Sequence, residues 1–255
     1  MADAQLKITV ISQFYNDSLL SPLFFRHYGY ADEIHILLET DTNDNTREIC
    51  ARYPNVVVED VHCPGGHDDR CKTDNTNRAA SKITEGWITP ADSDEFVFPE
   101  GHEDPRKFLA RQTADVVMAK YWYVYRHVTD KDIDYNADPI PQRVHGWDPF
   151  TKVGAYRAGK GIEMTIGNHE FLGVTSSSVE RYVGAHWNMA DVEISKRRLV
   201  SRDRMSPMNK KKRYGWHNFR VTEEDIAKRL QARRECPVIN ELVSRKENEW
   251  LSWIE

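Results

Sequence analysis

The chain has 255 residues, of which 29% are charged and 40% hydrophobic, and a formal net charge of −5. That length suits one large α/β domain or two small ones, and the composition is ordinary for a globular protein with a sizeable core. No apolar run is long enough to span a bilayer, and Met1 to Lys7 leads directly toward a strand instead of a signal peptide, so a cytoplasmic location is expected.

The predicted elements alternate. Leu6 to Phe14 is β-branched and aromatic and reads as a strand. Leu19 to Tyr28, opened by Ser18, has apolar residues at helical spacing. Glu33 to Leu38 is a second strand, followed by the polar turn Glu39 to Asn45. A short helix over Thr46 to Tyr53 and a strand over Val56 to Val61 come next. Asp44 has a simpler reading as a cap for that helix. After a Gly-Gly loop, Thr73 to Glu85 reads as a helix, and Trp87 to Thr89 starts another strand. Short links between alternating strands and helices imply βαβ units, hence a largely parallel sheet with ligands beyond the carboxyl ends of its strands.

The second half is less regular. Asp115 to Tyr125 reads as an aromatic-rich strand or strand pair, most simply core packing, with a sugar-stacking platform as the sharper alternative. Asp130 to Phe150, broken by prolines, reads as a long loop. Lys152 to Arg157 and Gly161 to Ile166 are expected as short strands, Gly167-Asn168-His169 as a turn and Val179 to Tyr182 as a brief strand. Asp191 to Leu199 begins a basic helix. Thr222 and Asp225 form a capping-box pattern, and Pro237 opens a last helix toward Trp253. The chain divides into a main domain over 1–200 and a helical C-terminal extension over 201–255 packed on the same domain.

Four cysteines, Cys50, Cys63, Cys71 and Cys236, contain no CxxC pair and suggest reduced thiols. His62, Cys63, His67 and Cys71 could ligate zinc, although their gaps match no common finger and Pro64-Gly65-Gly66 reads as a turn. A Cys63–Cys71 disulfide ranks below zinc in the absence of an export signal.

The most informative stretch is Trp87 to Phe98, where Asp92, Asp94 and Glu95 sit between apolar and aromatic flanks. Carboxylates this close raise one another's pKa unless a cation or strong donors offset them. Hard oxygen ligands at this spacing suit Mg²⁺ or Mn²⁺, which take one or two carboxylates plus phosphate oxygens. The bland alternative is an acidic loop that caps a strand. Three polar strand ends, Phe14 to Asp17, Glu39 to Asp44 and Asp92 to Glu95, converge on this site.

The ordered set Phe14-Tyr15-Asn16-Asp17, Glu39 to Thr46, Asn75, Asn77 and Arg78, Trp87, and Asp92-Ser93-Asp94-Glu95-Phe96 resembles the GT-A fold glycosyltransferases. It is close to the family 2-like group with an Asp-x-Asp-Glu-Phe motif. Lys152-Val153-Gly154, Gly167-Asn168-His169, Ala185-His186-Trp187 and Lys196 extend the likeness to about residue 200. The resemblance implies a mostly parallel Rossmann-like α/β sheet flanked by helices, and a metal-dependent transfer of a sugar from a nucleoside-diphosphate sugar, with a UDP-sugar favoured. It implies donor-binding roles for Phe14, Asn16, Glu39, Asp41, Asn77, Asp92, His186 and Lys196. Asp92, Asp94 and His169 would hold Mn²⁺ or Mg²⁺. The Glu-Asp motif of better-known members is missing, so inversion or retention stays open. Asp148, Glu163 and Glu170 are the candidate catalytic bases.

Two other enzyme readings compete. A nucleotidyltransferase normally carries a Gly-rich, basic loop after its first strand, and Gln13 to Asp17 has neither feature. Lys196 to Arg213 contains nine Lys or Arg residues against Asp203 alone. Charge runs are usually solvated, but this one could serve as a lid over the diphosphate. It could also contact a DNA acceptor, as in an enzyme that glycosylates modified bases; otherwise a glycan acceptor is expected. A non-enzymatic binding module would leave the clustered acids without a purpose.

Overall fold

The structure, a computed structural model, describes residues 6–173, 176–178, 181–214 and 221–243. Its strands are β1 (Ile8–Phe14), β2 (Glu33–Glu39), β3 (Val56–Val61), β4 (Trp87–Pro90), β5 (Glu95–Pro99), β6 (Val116–Tyr125), β7 (Gly146–Arg157), β8 (Glu163–Met164), β9 (Phe171–Leu172), β10 (Ser177–Ser178) and β11 (Tyr182–Met189). Its helices are α1 (Ser21–His27), α2 (Thr46–Cys50), α3 (Asp69–Ala80), α4 (Pro105–Ala110), α5 (Val192–Asp203), α6 (Pro207–Lys212), α7 (Glu223–Arg233) and α8 (Asn240–Val243). The expected α/β class holds.

One sheet runs β3-β2-β1-β4-β7-β6-β11-β5, with β10 beside β6. The first half, β3 to β4, is parallel as expected. Beyond it β7 runs antiparallel to both neighbours, and β5 is antiparallel to β11, so the whole sheet is mixed. Every residue of β1 is buried, as expected of a central strand covered on both faces. The larger core cluster includes Phe14, Phe24, Trp87, Phe96, Tyr121 and Trp187. A second cluster, with Ile11, Leu37, Ile88 and Tyr156, includes Ala79 and Ala80 of α3.

Three local features position the site. The Tyr28 hydroxyl donates to the Glu95 carbonyl at 2.9 Å and accepts from the Val97 amide at 3.1 Å, which pins the start of β5 from the end of α1. The Asp68 side chain accepts from the amides of Arg70 and Cys71, so α3 starts at Asp69, four residues before the expected Thr73. That earlier start places Lys72 in the first turn of α3. In β11 the alternation of a strand buries Ala185 and Trp187 while His186 points to the opposite face, opposite Glu95 in register.

Two expectations are corrected here. The loop expected over Asp130 to Phe150 ends earlier, because β7 begins at Gly146. Asp148 and Pro149 sit in a bulge: Tyr121 pairs with Phe150 and Tyr123 with Trp147, so two residues of β7 face one of β6. The bulge gives Asp148 a positive φ of 48° and accommodates a proline inside a paired strand. Second, Cys63 and Cys71 form a disulfide with a Cα separation of 5.8 Å, so neither is a reduced thiol or a zinc ligand. Cys50 and Cys236 are free and buried, as reduced thiols would be.

The capping box at Thr222 and Asp225 is present at the start of α7. The last helix starts at Asn240, after Pro237, and its expected continuation toward Trp253 lies outside the described residues. Among the described residues, no helix is long and apolar enough to cross a membrane.

Candidate functional site

The carboxyl ends of β1, β2 and β4 open into one cleft of about 1970 Å³. The acidic turn between β4 and β5 forms part of its floor, and side chains from α3, β7 and α5 add cations. Asp92 is held by the Lys72 ammonium at 2.6 Å and faces that of Lys152 at 3.9 Å. Lys152 in turn donates to buried Glu95 at 2.5 Å. Burial would raise the Asp92 pKa, but the two ammonium charges outweigh it and hold the carboxyl well below its usual range. The same pairing holds Lys72 above its ordinary value against its own burial.

Asp94 faces the His186 Nε2 at 3.4 Å. Burial works against a charged imidazole, yet the neighbouring carboxylate prevails and raises the His186 pKa. The backbone of Asp94 also accepts from the Trp187 amide at 2.7 Å, tying the acidic turn to β11.

Arg197 on α5 reaches between two strand ends. It donates to the Asp17 carboxylate and, at 3.1 Å, to the Ser93 hydroxyl. Burial pushes its pKa down to about 10. Arg204, at the end of α5, donates to Glu39 at 2.6 Å and Asp41 at 2.7 Å, and its guanidinium lies 3.2 Å from the centre of the Tyr15 ring. Gly66 is required where the chain passes this point: a Cβ there would lie 2.3 Å from the Arg204 carbonyl, and its φ is +100°. The Gly-Gly loop carries Asp68 and Asp69, which accept from Ser206 and Asn209 and so hold the basic segment against the cleft.

The residues expected from sequence separate into two groups. Asn16, Glu39, Asp92, Asp94, Asp148, His169 and His186 all line the cleft, and Asp41 joins its edge through Arg204. Phe14 lies in the core against Phe24, and its neighbour Tyr15 faces the cleft instead. Asn77 makes two hydrogen bonds with the backbone of Met164, bracing β8 outside the cleft. Lys196 is half-buried and paired with Glu193, while the next residue, Arg197, turns inward. Glu163 and Glu170 are exposed and outside the cleft lining, which leaves Asp148 as the one of the three candidate bases within it. Lys72, Arg197 and Arg204 were missed from sequence. The signal for Lys72 was Asp68 as an N-cap; Arg197 and Arg204 lay within the noted basic run.

The three expected metal ligands share the cleft but do not form a ready-made ligand set: among the described residues, no group of three His, Cys, Asp or Glu stands together to hold a metal. Asp92 is committed to Lys72, and the His169 Nδ1 bonds the Thr151 carbonyl at 3.1 Å. Asp94, whose ion-pair partner among the described residues is His186, fits the pattern of a cation held by one carboxylate and phosphate oxygens.

No protein-family model matches the chain, and no curated protein sequence matches it. Solved structures that resemble it include residues 1–349 of S. aureus TarS, at 15% identity and a TM-score of 0.42 over 88% of this chain and 69% of that one. The same TarS segment in complex with UDP-GlcNAc aligns at 14% identity and a TM-score of 0.41, over 88% and 70%. HddC from Yersinia pseudotuberculosis aligns at 12% identity and a TM-score of 0.39, over 75% and 97%.

Proposed function

We propose that the chain is a glycosyltransferase that uses a nucleoside-diphosphate sugar. The observation that carries this reading is the placement of Lys72, Lys152, Arg197 and Arg204 around an acidic turn and an aromatic ring, all at the strand ends of one cleft. A diphosphate leaving group needs fixed positive charge, and cations already held in place stabilise its developing charge without reorganisation. The polar turn Glu39 to Asp44 supplies hydrogen-bonding surface for a base and ribose, beside the Tyr15 ring that Arg204 covers. The sequence after β1 weighs against the nucleotidyltransferase alternative. The segment after β1, Tyr15 to Asp17, presents an aromatic ring, an amide and a carboxylate, with no glycine-rich phosphate cradle.

In this reading the acceptor hydroxyl attacks the sugar C1 and loses its proton to Asp148, while the C1–O bond to the diphosphate breaks and the electron pair leaves with the nucleoside diphosphate. Asp148 is suited to the base role because the bulge in β7 turns it toward the cleft beside Phe150. Lys152 keeps positive charge next to the acidic turn, and the Asp94 carboxylate favours the protonated form of His186. Mg²⁺ or Mn²⁺ held by Asp94 would add charge neutralisation at the diphosphate.

A thermal-shift screen of nucleotide sugars, with and without Mn²⁺, tests the reading. A ligand that binds only the folded state raises the apparent stability by mass action, and a hundredfold excess over Kd adds about 2.7 kcal/mol. A UDP-sugar is expected to stand out. No shift with any nucleotide or nucleotide sugar would overturn the assignment.

A further inference from the structure

The cleft has far more room than one donor needs: about 1970 Å³, against about 300–1,000 Å³ for an ordinary ligand site. With the donor at the strand ends, the rest of the cleft is left for the acceptor, and two unlike surfaces line it. One is formed by α7, whose Lys228, Arg229 and Arg233 line the cleft, as do Lys210 and Arg213 of the α6 end. The other is the β6–β7 surface, where Tyr123 and Phe150 lie with ring centroids 4.7 Å apart.

The charge state of these cations separates them from the donor-end group. Lys72, Lys152, Arg197 and Arg204 each contact a carboxylate. Among the described residues, Lys210 and Arg213 form no ion pair, and Lys228 meets only the exposed Glu224 on its own helix. The nearest carboxylate along the helix from Arg229, Asp225, is engaged by the Thr222 cap. Arg233 lies over the Trp147 ring at 4.7 Å. Arg229 and Arg233 are one turn apart, about 6 Å along the helix axis, and both line the cleft. α7 is fixed at both ends: Arg202 donates to the Val221 carbonyl at 2.7 Å, and Val128 to that of Arg234 at 2.8 Å.

Cations without a buried carboxylate partner, lining the same cleft as a pair of aromatic rings, are suited to grip a single nucleic-acid strand, cations on the phosphates and rings on the bases. Phe150 also lies 5.9 Å from the rings of both His169 and His186, so a base stacked on it would sit beside the donor end of the cleft. We propose that the rest of the cleft binds the acceptor as a single-stranded nucleic-acid segment, whose hydroxyl-bearing base is presented to the donor. This rests on the glycosyltransferase reading for the position of the donor.

The test is fluorescence anisotropy of the full chain with a labelled single-stranded oligonucleotide of about 16 nucleotides, across a salt series. Arg229→Ala and Lys210→Ala are compared with Lys82→Ala, which removes a cation paired with Glu59 away from the cleft. Binding is expected at low salt. Each cleft substitution should raise Kd several-fold and flatten the slope of log K against log salt by about 0.7 for each phosphate no longer neutralised, while Lys82→Ala changes neither. No retention at low salt, or equal effects from all three substitutions, would overturn the proposal. Tighter, equally Arg229-dependent binding of a phosphodiester-linked glycan would overturn it in favour of that acceptor. Parallel thermal shifts with a UDP-sugar separate the two readings: a chain that binds the donor but not the oligonucleotide loses only this inference, and one that binds neither loses both.

Discussion

The Arg204 guanidinium lies 3.2 Å from the centre of the Tyr15 ring while donating to both Glu39 and Asp41. One side chain from the basic segment therefore neutralises the acidic end of β2 and covers the aromatic face at the end of β1. Arg204→Ala would leave Glu39, which is buried, without its charged donor. Loss of a hydrogen-bonded charge partner at such a site costs about 1–3 kcal/mol. Arg204→Lys should recover little of that, because an ammonium cannot stack and donate in a fork as a guanidinium does. Urea denaturation of the two variants checks this; a lysine variant as stable as the wild type would contradict it.

Lys152 and Glu95 form a buried pair beneath the acidic turn, with 6% and 1% of their side chains exposed. Lys152→Met removes the cation and strands the carboxylate, at a cost of about 3–5 kcal/mol. Removing both charges in Lys152→Met/Glu95→Gln should restore much of the loss, since the remaining amide needs only a hydrogen bond. Chemical denaturation of the single and double variants gives the coupling. Additive losses would mean that the two groups act independently.

Asp44 accepts from the amides of Ser18 and Thr46 and from the Thr46 hydroxyl. Burial opposes its ionisation, but these donors prevail and lower its pKa. A carboxyl with a depressed folded pKa contributes stability above its unfolded value, near about 3.9, and loses it as pH falls toward the folded one. Asp44→Ala should therefore cost about 1 kcal/mol at neutral pH, with the gap closing below about pH 4. A gap that persists undiminished at lower pH would show that the charge is not what matters.

The parts of this protein legible in its sequence are those governed by local pattern. Val56 to Val61 forms β3 with the expected bounds, because its β-branched run is a local signal that its pairing with β2 only completes. The Thr222–Asp225 capping box is equally local. The site was legible as far as the convergence of three strand ends and the acidic turn, but single residues slipped by one position. Phe14 was expected where Tyr15 faces the cleft, and Lys196 where Arg197 does, because which of two neighbours turns inward depends on strand alternation and helix phase. The start of β7 was hidden because Asp148 and Pro149 read as breakers, and only pairing with β6 turns them into a bulge. Asp68 as an N-cap could have placed Lys72 in the first turn of α3, but its pairing with Asp92 depends on how α3 docks against the sheet.

The Cys63–Cys71 disulfide closes the loop that carries Asp68 and Asp69, and those two side chains hold Ser206 and Asn209. Closing a loop this short stabilises by about 2–3 kcal/mol in the chain-entropy view. Dithiothreitol, or Cys63→Ser with Cys71→Ser, should lower the melting temperature together with protection of the α6 amides from hydrogen exchange. Unchanged exchange in α6 would mean that the loop and the basic segment are not coupled.

The central claim, that the cleft at the strand ends holds a nucleoside-diphosphate sugar, is tested most directly by isothermal titration with a UDP-sugar in Mn²⁺, comparing the wild type with Lys72→Ala and Asp94→Ala. Saturable one-to-one binding is expected, weakening at least tenfold in each variant, about 1.4 kcal/mol, with the variants still folded by circular dichroism. Absence of heat with the wild type, or binding that both variants leave untouched, would contradict it.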